Sequence, residues 1–123
     1  MKEITAIIRP KMMNDTKAAL EKLGYPAMTA IPVLGRGKQR GIAGEVDVEL
    51  RPKILEQNKS GGMKYIPKRQ IYLVVKDEDV DAIISTLISI NQTGQFGDGK
   101  IFVSTVDDGI RIRTNETGLG AII

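Results

Sequence analysis

The chain of 123 residues carries 18 Lys and Arg against 15 Asp and Glu, so its formal net charge is only +3. This mild excess favours small anionic ligands or an acidic partner, and it falls short of the basic surface of a dedicated nucleic-acid binder. Because the chain has neither cysteine nor histidine, the sequence excludes disulfides, thiol nucleophiles, imidazole catalysis and the common zinc sites.

The length and the hydrophobic content of 41% predict a single domain over residues 1–123. The N-terminus shows no signal-peptide pattern, and no apolar run approaches the about 20 residues that cross a bilayer. We therefore expect a cytoplasmic protein without membrane insertion.

The first part of the chain predicts a strand, a helix and a second strand. Residues 3–9 are short, apolar and β-branched, as is typical of a strand. Asn14 or Asp15 is placed to cap a helix that runs through Leu23, where a glycine and a proline follow. A second strand is expected over 27–34.

The second part predicts the same order of elements. A third strand is expected over 69–75, and Asp77 is placed to cap the most strongly patterned helix, which Gly94 would close. Its apolar residues recur at spacings of three and four and form one face: Val80, Ile83, Ile84, Leu87 and Ile88. A fourth strand is expected over 101–106, and the alternation of 110–113 predicts a short fifth strand.

Two β-α-β units in one small chain predict an α+β fold of the ferredoxin-like type, a split βαβ-βαβ sandwich. Its single antiparallel sheet would carry two helices on one face. Because no third helix is available to cover the other face, we expect the chain to form oligomers through it.

A connection of about thirty residues, 36–66, separates the two units, and compact domains rarely hold so long a loop without a functional reason. In its middle, acidic and apolar residues alternate, so an extended form would have one charged and one apolar side. The alternating residues are Glu45, Val46, Asp47, Val48, Glu49 and Leu50. We interpret them as a partner-contacting surface, since the acids have no visible partner that would support catalysis.

The first candidate binding site opens this loop, where three glycines alternate with three cations and a glutamine. Its residues are Gly35, Arg36, Gly37, Lys38, Gln39, Arg40 and Gly41. A flexible backbone with inward cations could wrap a phosphate or carboxylate. A solvated basic loop is the alternative, but the run directly follows a strand, and ligand sites often lie on loops anchored to rigid sheets.

The second candidate site is Gly97, Asp98, Gly99 and Lys100, which precede the fourth strand. Glycines allow backbone N–H groups to approach an anion, with one ammonium beside them. An ordinary turn is the alternative, and the chain contains no Walker loop.

The third candidate comprises Arg111 and Arg113, whose side chains would point the same way in an extended strand. Two parallel guanidinium groups suit a polyphosphate, although an exposed charge pair on an edge strand has the same spacing. Lys68, at the far end of the long loop, has the same two interpretations.

Five segments resemble the PII nitrogen-regulatory family in order and spacing, from one end of the chain to the other. They are Met1–Pro10, Gly24–Thr29, Gly35–Gly41, Thr93–Val106 and Ile110–Thr114. The stretch Thr-x-x-x-Gly-Asp-Gly-Lys-Ile-Phe-Val-x-x-Val fits the C-terminal signature of that family at every fixed position.

The resemblance implies a trimer of ferredoxin-like subunits, either a homotrimer or a mixed assembly with a second PII-like chain, that binds ATP or ADP in clefts between subunits. The implied ATP-binding residues are Thr29 beside the adenine, Gly35, Gly37, Lys38, Gly97, Asp98, Gly99, Lys100, Arg111 and Arg113. The implied 2-oxoglutarate-binding residues are Gln39, Arg40, Gly41 and Lys68. Gln39 would also help to ligate Mg²⁺ between ATP and 2-oxoglutarate.

Three departures from the family pattern refine the resemblance. The long loop exceeds the usual length by about ten residues and lacks the tyrosine modification motif, so control by uridylylation is not expected. Tyr72 stands in place of a common glutamate, and Lys38 in place of an arginine. The enlarged loop is similar to that of PII-like proteins encoded among archaeal nitrogen-fixation genes, specifically the longer of two paired types.

That subgroup implies a regulator, not an enzyme, that inhibits nitrogenase when nitrogen is plentiful and is relieved by ATP and 2-oxoglutarate. Transcription regulation is a further expectation. The alternatives are a general PII regulator of glutamine synthetase or an ammonium channel and, in another class, an RNA-binding ferredoxin-like module. Against RNA binding, the cations cluster on loops and no aromatic-rich RNP-type strand is present.

Overall fold

The computed structural model describes residues 1–38 and 65–123, and in them four strands form one antiparallel sheet. The strands are β1 (Lys2–Ile8), β2 (Thr29–Gly35), β3 (Ile66–Val75) and β4 (Lys100–Thr105). Their order across the sheet is β2-β3-β1-β4, which places the two edges on β2 and β4. The predicted ferredoxin-like α+β fold is confirmed.

In the same two ranges of described residues, three α-helices accompany the sheet: α1 (Met13–Lys22), α2 (Val80–Asn91) and the short α3 (Leu119–Ile122). The core lies between the sheet and the first two helices, because alternate residues of β1 and β3 are buried together with the apolar faces of α1 and α2. Its most fully buried large side chains include Ile4, Leu20, Ile71, Ile83 and Leu87. No helix in the described residues is both long and apolar enough to span a membrane.

Both helix starts differ from the prediction. The turn Pro10–Met12 is a 3-10 helix that leads directly into α1, so helical geometry begins before Asn14 and no side chain caps the start. Proline suits the first position of this turn, because its φ is fixed at a helical value and it has no backbone N–H that would need a partner. Asp77 likewise lies in a 3-10 turn before α2, and its carboxylate pairs with the N-terminal amino group at 3.1 Å. Helix α2 ends at Asn91, three residues before Gly94.

The predicted fifth strand over 110–113 is wrong. The carbonyl of Arg111 accepts the N–H groups of Thr114 and Asn115, at 3.3 and 2.8 Å, which closes a turn. Asn115 adopts a left-handed backbone with φ of 60°, a conformation that asparagine tolerates better than most residues. Only an isolated bridge joins Ile110 to Thr117. The alternation of the two arginines therefore does not arise from an extended strand.

The sheet face opposite the helices carries exposed apolar side chains. Along β1, Ile4 and Ala6 point into the core, so the residues between them face the other way. Register places Tyr72 and Phe102 beside Thr5 on this outer face, where the two aromatic side chains are 36% and 55% exposed. The expectation of a sheet face without helix cover agrees with this arrangement.

Candidate anion-binding site

A cleft of about 510 Å³ opens at one end of the sheet. It is formed by the end of β1 and of β2, the starts of β3 and β4, and residues 92–99, which we call the glycine loop. The lining residues are Ile7, Gly35, Arg36, Gly37, Lys38, Ile66, Lys68, Phe96, Gly97, Gly99, Lys100 and Phe102. Strand β2 pairs with β3, and β1 pairs with β4, both in antiparallel orientation. This pairing brings the two segments rich in glycine and cations, residues 35–38 and 97–100, to the same cleft.

The cleft is positively charged. Four of its lining residues are cations, Arg36, Lys38, Lys68 and Lys100, and none of its described lining residues is a carboxylate. Opposite charges within a partly enclosed site attract more strongly than in open water, because the surrounding dielectric is lower. The cleft therefore suits an anion with several charged oxygens.

The glycine loop lies directly against β1. A Cβ atom on Gly99 would stand 1.8 Å from the carbonyl oxygen of Ile7, and the φ of Gly99 is +108°. Both the close approach and the left-handed backbone require glycine at this position. Gly97 also has a positive φ, of 102°. These two residues let the loop pass close to the strand and bring its backbone to the wall of the cleft.

Two of the cations contact the glycine loop. The Lys68 Nζ donates to the carbonyl oxygen of Gly97 at 2.6 Å, and the residue is only 7% exposed. The Lys38 Nζ lies 5.7 Å from the centre of the Phe96 ring, which is within cation–π range. The root of the long loop and the start of β3 are thereby connected to the loop that precedes β4.

Asp98 stands out because its carboxylate is not part of the cleft wall. It accepts hydrogen bonds from Arg9 Nη1 at 2.6 Å and from the backbone N–H groups of Thr93 and Gly94, at 2.7 and 2.8 Å, and from the Thr93 hydroxyl. Burial raises the pKa of this carboxyl, but the bonds from Thr93, Arg9 and Gly94 outweigh burial, so its pKa lies well below the usual range. The carboxylate organises the loop from within.

Sequence reasoning missed Arg9, which is only 6% exposed. Besides its ion pair with Asp98, its Nη2 donates to the carbonyl oxygen of Phe96 at 3.1 Å. The sequence did hold one signal for this ion pair. An arginine stands at the end of the first strand and an aspartate just before the fourth, and the antiparallel pairing of these two strands places the two positions close together.

The structure brings together seven of the residues that were predicted to bind ligands. They are Gly35, Gly37, Lys38, Lys68, Gly97, Gly99 and Lys100, all of which line the cleft. Four others do not line it: Thr29, Asp98, Arg111 and Arg113. The remaining predicted residues lie outside the described part of the chain, namely Gln39, Arg40, Gly41 and the partner-contacting segment Glu45, Val46, Asp47, Val48, Glu49 and Leu50.

Arg111 makes its contacts within the C-terminal segment. Its Nη1 donates to the Glu116 carboxylate at 2.7 Å, and its Nη2 donates to the carbonyl oxygen of Ile123. The Thr114 hydroxyl and the Arg111 guanidinium lower the pKa of Glu116. The guanidinium is therefore already oriented by an acidic group on the surface.

The described residues contain no cluster of three or more acidic side chains that could hold a metal ion.

Comparison with known proteins gives a consistent result. Residues 1–116 match the family model described as "Nitrogen regulatory protein P-II". The chain is 61% identical over 118 residues to the "Nitrogen fixation nifHD1 region GlnB-like protein 2" of Methanosarcina barkeri, with 96% of each chain covered. It is 50% identical to the "Nitrogen fixation nifHD region GlnB-like protein 2" of Methanobacterium ivanovii over the full length of both.

Among solved structures, PII of Arabidopsis thaliana, bound to citrate, superimposes with a TM-score of 0.72 at 31% identity. The match covers 98% of this chain and 88% of the Arabidopsis chain. The sheet and helices described above are therefore arranged as in that protein.

Proposed function

This chain belongs to the nitrogen regulatory protein P-II family, and from that premise we propose that it is a signal-transduction regulator that senses ATP or ADP together with 2-oxoglutarate. The observation that carries the proposal is the composition of the cleft, with four cations and four glycines and no carboxylate among its described lining residues. A nucleotide polyphosphate has the charge and the oxygen acceptors that such a wall would bind.

The phosphates would contact the glycine loop. Backbone N–H groups near Gly97 and Gly99 and the ammonium groups of Lys38 and Lys100 would hold them, while Asp98 would act through its support of the loop. Because Lys38 has no bidentate fork, it would act as a point charge.

The residues that do not line the cleft also fit the proposal. Thr29, Arg111 and Arg113 would reach nucleotide in a trimer, where a neighbouring subunit completes each cleft. In this arrangement Arg111 would exchange the Glu116 carboxylate for a phosphate.

The 2-oxo acid would bind beside the nucleotide. Lys68 would pair with one of its carboxylates, and Gln39, Arg40 and Gly41 would contact it from the long loop. Mg²⁺ would lie between ATP and 2-oxoglutarate with help from Gln39, taking most of its oxygen ligands from these two anions.

The proposed switch is an equilibrium between two conformations of the long loop. A ligand shifts such an equilibrium only by binding one of the two conformations more tightly than the other. The bound ligands would thus decide whether the loop over 36–66 contacts its target.

Nitrogenase is the proposed target, through residues 45–50, and the protein itself would turn over no substrate. The support is the naming of close relatives for nitrogen-fixation gene regions. A chain lacking residues 45–62 is expected to bind ATP and 2-oxoglutarate normally but to lose inhibition in a nitrogenase activity assay. Inhibition that survives the deletion would assign the target contact to another surface.

Titration calorimetry with MgATP tests the nucleotide site. Lys100→Ala should weaken ATP binding about 10- to 100-fold, because it removes a charged hydrogen-bond donor from the part of the cleft wall that would contact the phosphates. Lys17→Ala, which removes an exposed lysine from α1, is the matched control and should bind as the wild type does. Equal affinity in both variants would contradict the assignment of the cleft to phosphates.

A further inference from the structure

The ion pair between Arg9 and Asp98 lies behind the wall of the cleft. Arg9 is more than nine-tenths buried, and neither residue lines the cleft. Asp98 belongs to the glycine loop, which forms part of the cleft wall, and Arg9 contacts that loop from the end of β1. The pair joins the end of β1 to a position 89 residues later in the chain. A buried guanidinium is costly unless it is paired, so this contact is built into the fold and is not a chance surface pair.

Arg9 holds two acceptors of the loop at once. Its Nη1 donates to the Asp98 carboxylate at 2.6 Å and its Nη2 to the Phe96 carbonyl oxygen at 3.1 Å. In a planar trans peptide the C=O and the next N–H point in opposite directions. Because Arg9 fixes the Phe96 carbonyl behind the wall, the N–H of Gly97 is directed away from Arg9, and Gly97 itself lines the cleft.

The Asp98 carboxylate extends this control to the start of the loop. It receives the N–H groups of Thr93 and Gly94, at 2.7 and 2.8 Å, so both ends of the segment 93–98 are held by one side chain. The next carbonyl, that of Gly97, is held by Lys68 at 2.6 Å. Adjacent carbonyls of the loop thus bind two different cations, which leaves little freedom in the orientation of the peptides between them.

We propose that Arg9 is a positioning residue of the anion site, which through Asp98 and the Phe96 carbonyl fixes the direction in which Gly97 presents its N–H to a phosphate; this inference rests on the function proposed above. Lysine cannot replace it, because a single ammonium lacks the planar fork that reaches both acceptors in fixed geometry. Arg9 itself would not touch the ligand.

The test compares the wild type with Arg9→Lys and with Lys17→Ala as the control. Calorimetry is carried out at a temperature where all three proteins are folded. Arg9→Lys should lower the affinity for MgATP about tenfold. The affinity for adenosine, which has no phosphate and is measured by competition, should stay unchanged. A general loosening of the fold would weaken both ligands together.

Amide NMR supplies a readout without ligand. The signal of the Gly97 amide should shift in Arg9→Lys and stay in place in Lys17→Ala. If Arg9→Lys does not fold, Asp98→Asn carries the same two measurements, since it removes the charge that Arg9 faces without shortening the side chain. Wild-type ATP affinity together with an unmoved Gly97 signal would overturn the inference and leave the proposed function standing. A wild-type protein that binds no ATP would contradict the proposed function. In that case a shifted Gly97 signal in Arg9→Lys would still show that Arg9 sets the conformation of the glycine loop.

Discussion

The backbone of Gly99 passes so close to β1 that a methyl group on it would stand 1.8 Å from the Ile7 carbonyl oxygen. Neither atom can move easily, because the oxygen belongs to the backbone of β1 and the backbone of Gly99 fixes the position of the methyl group. The positive φ adds a steric cost of about 1–2 kcal/mol for any side chain. At the residue scale, the shape of the cleft wall therefore depends on a position that only glycine can occupy.

Gly99→Ala is expected to lower the free energy of unfolding by at least about 2 kcal/mol, since it combines a clash with a strained φ. Urea denaturation followed by circular dichroism measures the change. Gly120→Ala is the matched control, because its Cβ would meet only the flexible end of Glu116 at 3.5 Å. An unchanged denaturation midpoint in Gly99→Ala would show that the loop does not lie against β1.

Asp98 gives stability a defined pH dependence. Its pKa is lower in the folded state than in the unfolded state, so its contribution is present above about pH 4 and is lost as the pH falls through the folded pKa. Asp98→Asn should cost about 2–4 kcal/mol at pH 7, where it leaves buried Arg9 without its charge partner.

Denaturation at pH 7 and at pH 3 checks this expectation, with the difference between wild type and Asp98→Asn becoming smaller at pH 3. Asp107→Asn, an exposed carboxylate, serves as the control and should change little at either pH. A difference that stays constant between the two pH values would rule out the carboxylate charge as its source.

Single residues were also where sequence reasoning reached its limit. The glycines and lysines of the cleft could be picked out because two short segments concentrate them, and Gly97, Gly99 and Lys100 do line it. The hydrogen bonding of the Asp98 carboxylate within the glycine loop could not be predicted, because its partner Arg9 is 89 residues away and no local pattern encodes that pairing.

At the scale of elements, both main helices and all four strands of the sheet were predicted from the sequence. Short β-branched runs and cap or stop residues indicated most of them, and the apolar spacing of α2 records the burial of one of its faces. The starts of the helices were wrong, since proline and the run of acids form 3-10 turns whose hydrogen bonds replace side-chain caps. The strand expected over 110–113 failed because four alternating residues are too few to outweigh the turn-forming Asn115 that follows.

Helix α2 provides a test of which face packs against the sheet. Leu87→Ala should destabilise the fold by about 2–5 kcal/mol, because Leu87 is 1% exposed within the core. The neighbouring Ile88, 44% exposed, is the matched position, and Ile88→Ala should cost less than about 1 kcal/mol. Equal losses in urea denaturation would mean that the helix is rotated from the orientation described here.

At the scale of the whole molecule, the outer face of the sheet connects fold to assembly. Exposed Ile31, Tyr72 and Phe102 lie on this side, and an apolar surface of that kind is typical of subunit contact. The predicted family and the ferredoxin-like fold are confirmed, whereas the trimer and its bound ligands remain predictions, because subunit contacts and ligand selectivity depend on partners that one chain does not contain.

Analytical ultracentrifugation checks the assembly, with three chains per particle expected for the wild type. Ile31→Lys should shift the protein toward monomer, since it places a charge in the expected contact. Ile88→Lys, at a residue equally exposed but on α2, should leave the trimer intact. A wild type that sediments as a monomer would contradict the roles proposed for Arg111 and Arg113, since those roles need a second subunit at each cleft.

Calorimetric titration of 2-oxoglutarate into the protein, with and without saturating MgATP, tests the proposed sensor function most directly. Heat of binding is expected only when MgATP is present, because the nucleotide and its metal ion would supply part of the site for the 2-oxo acid. Heat of equal size in both titrations, or none in either, would contradict the proposed function.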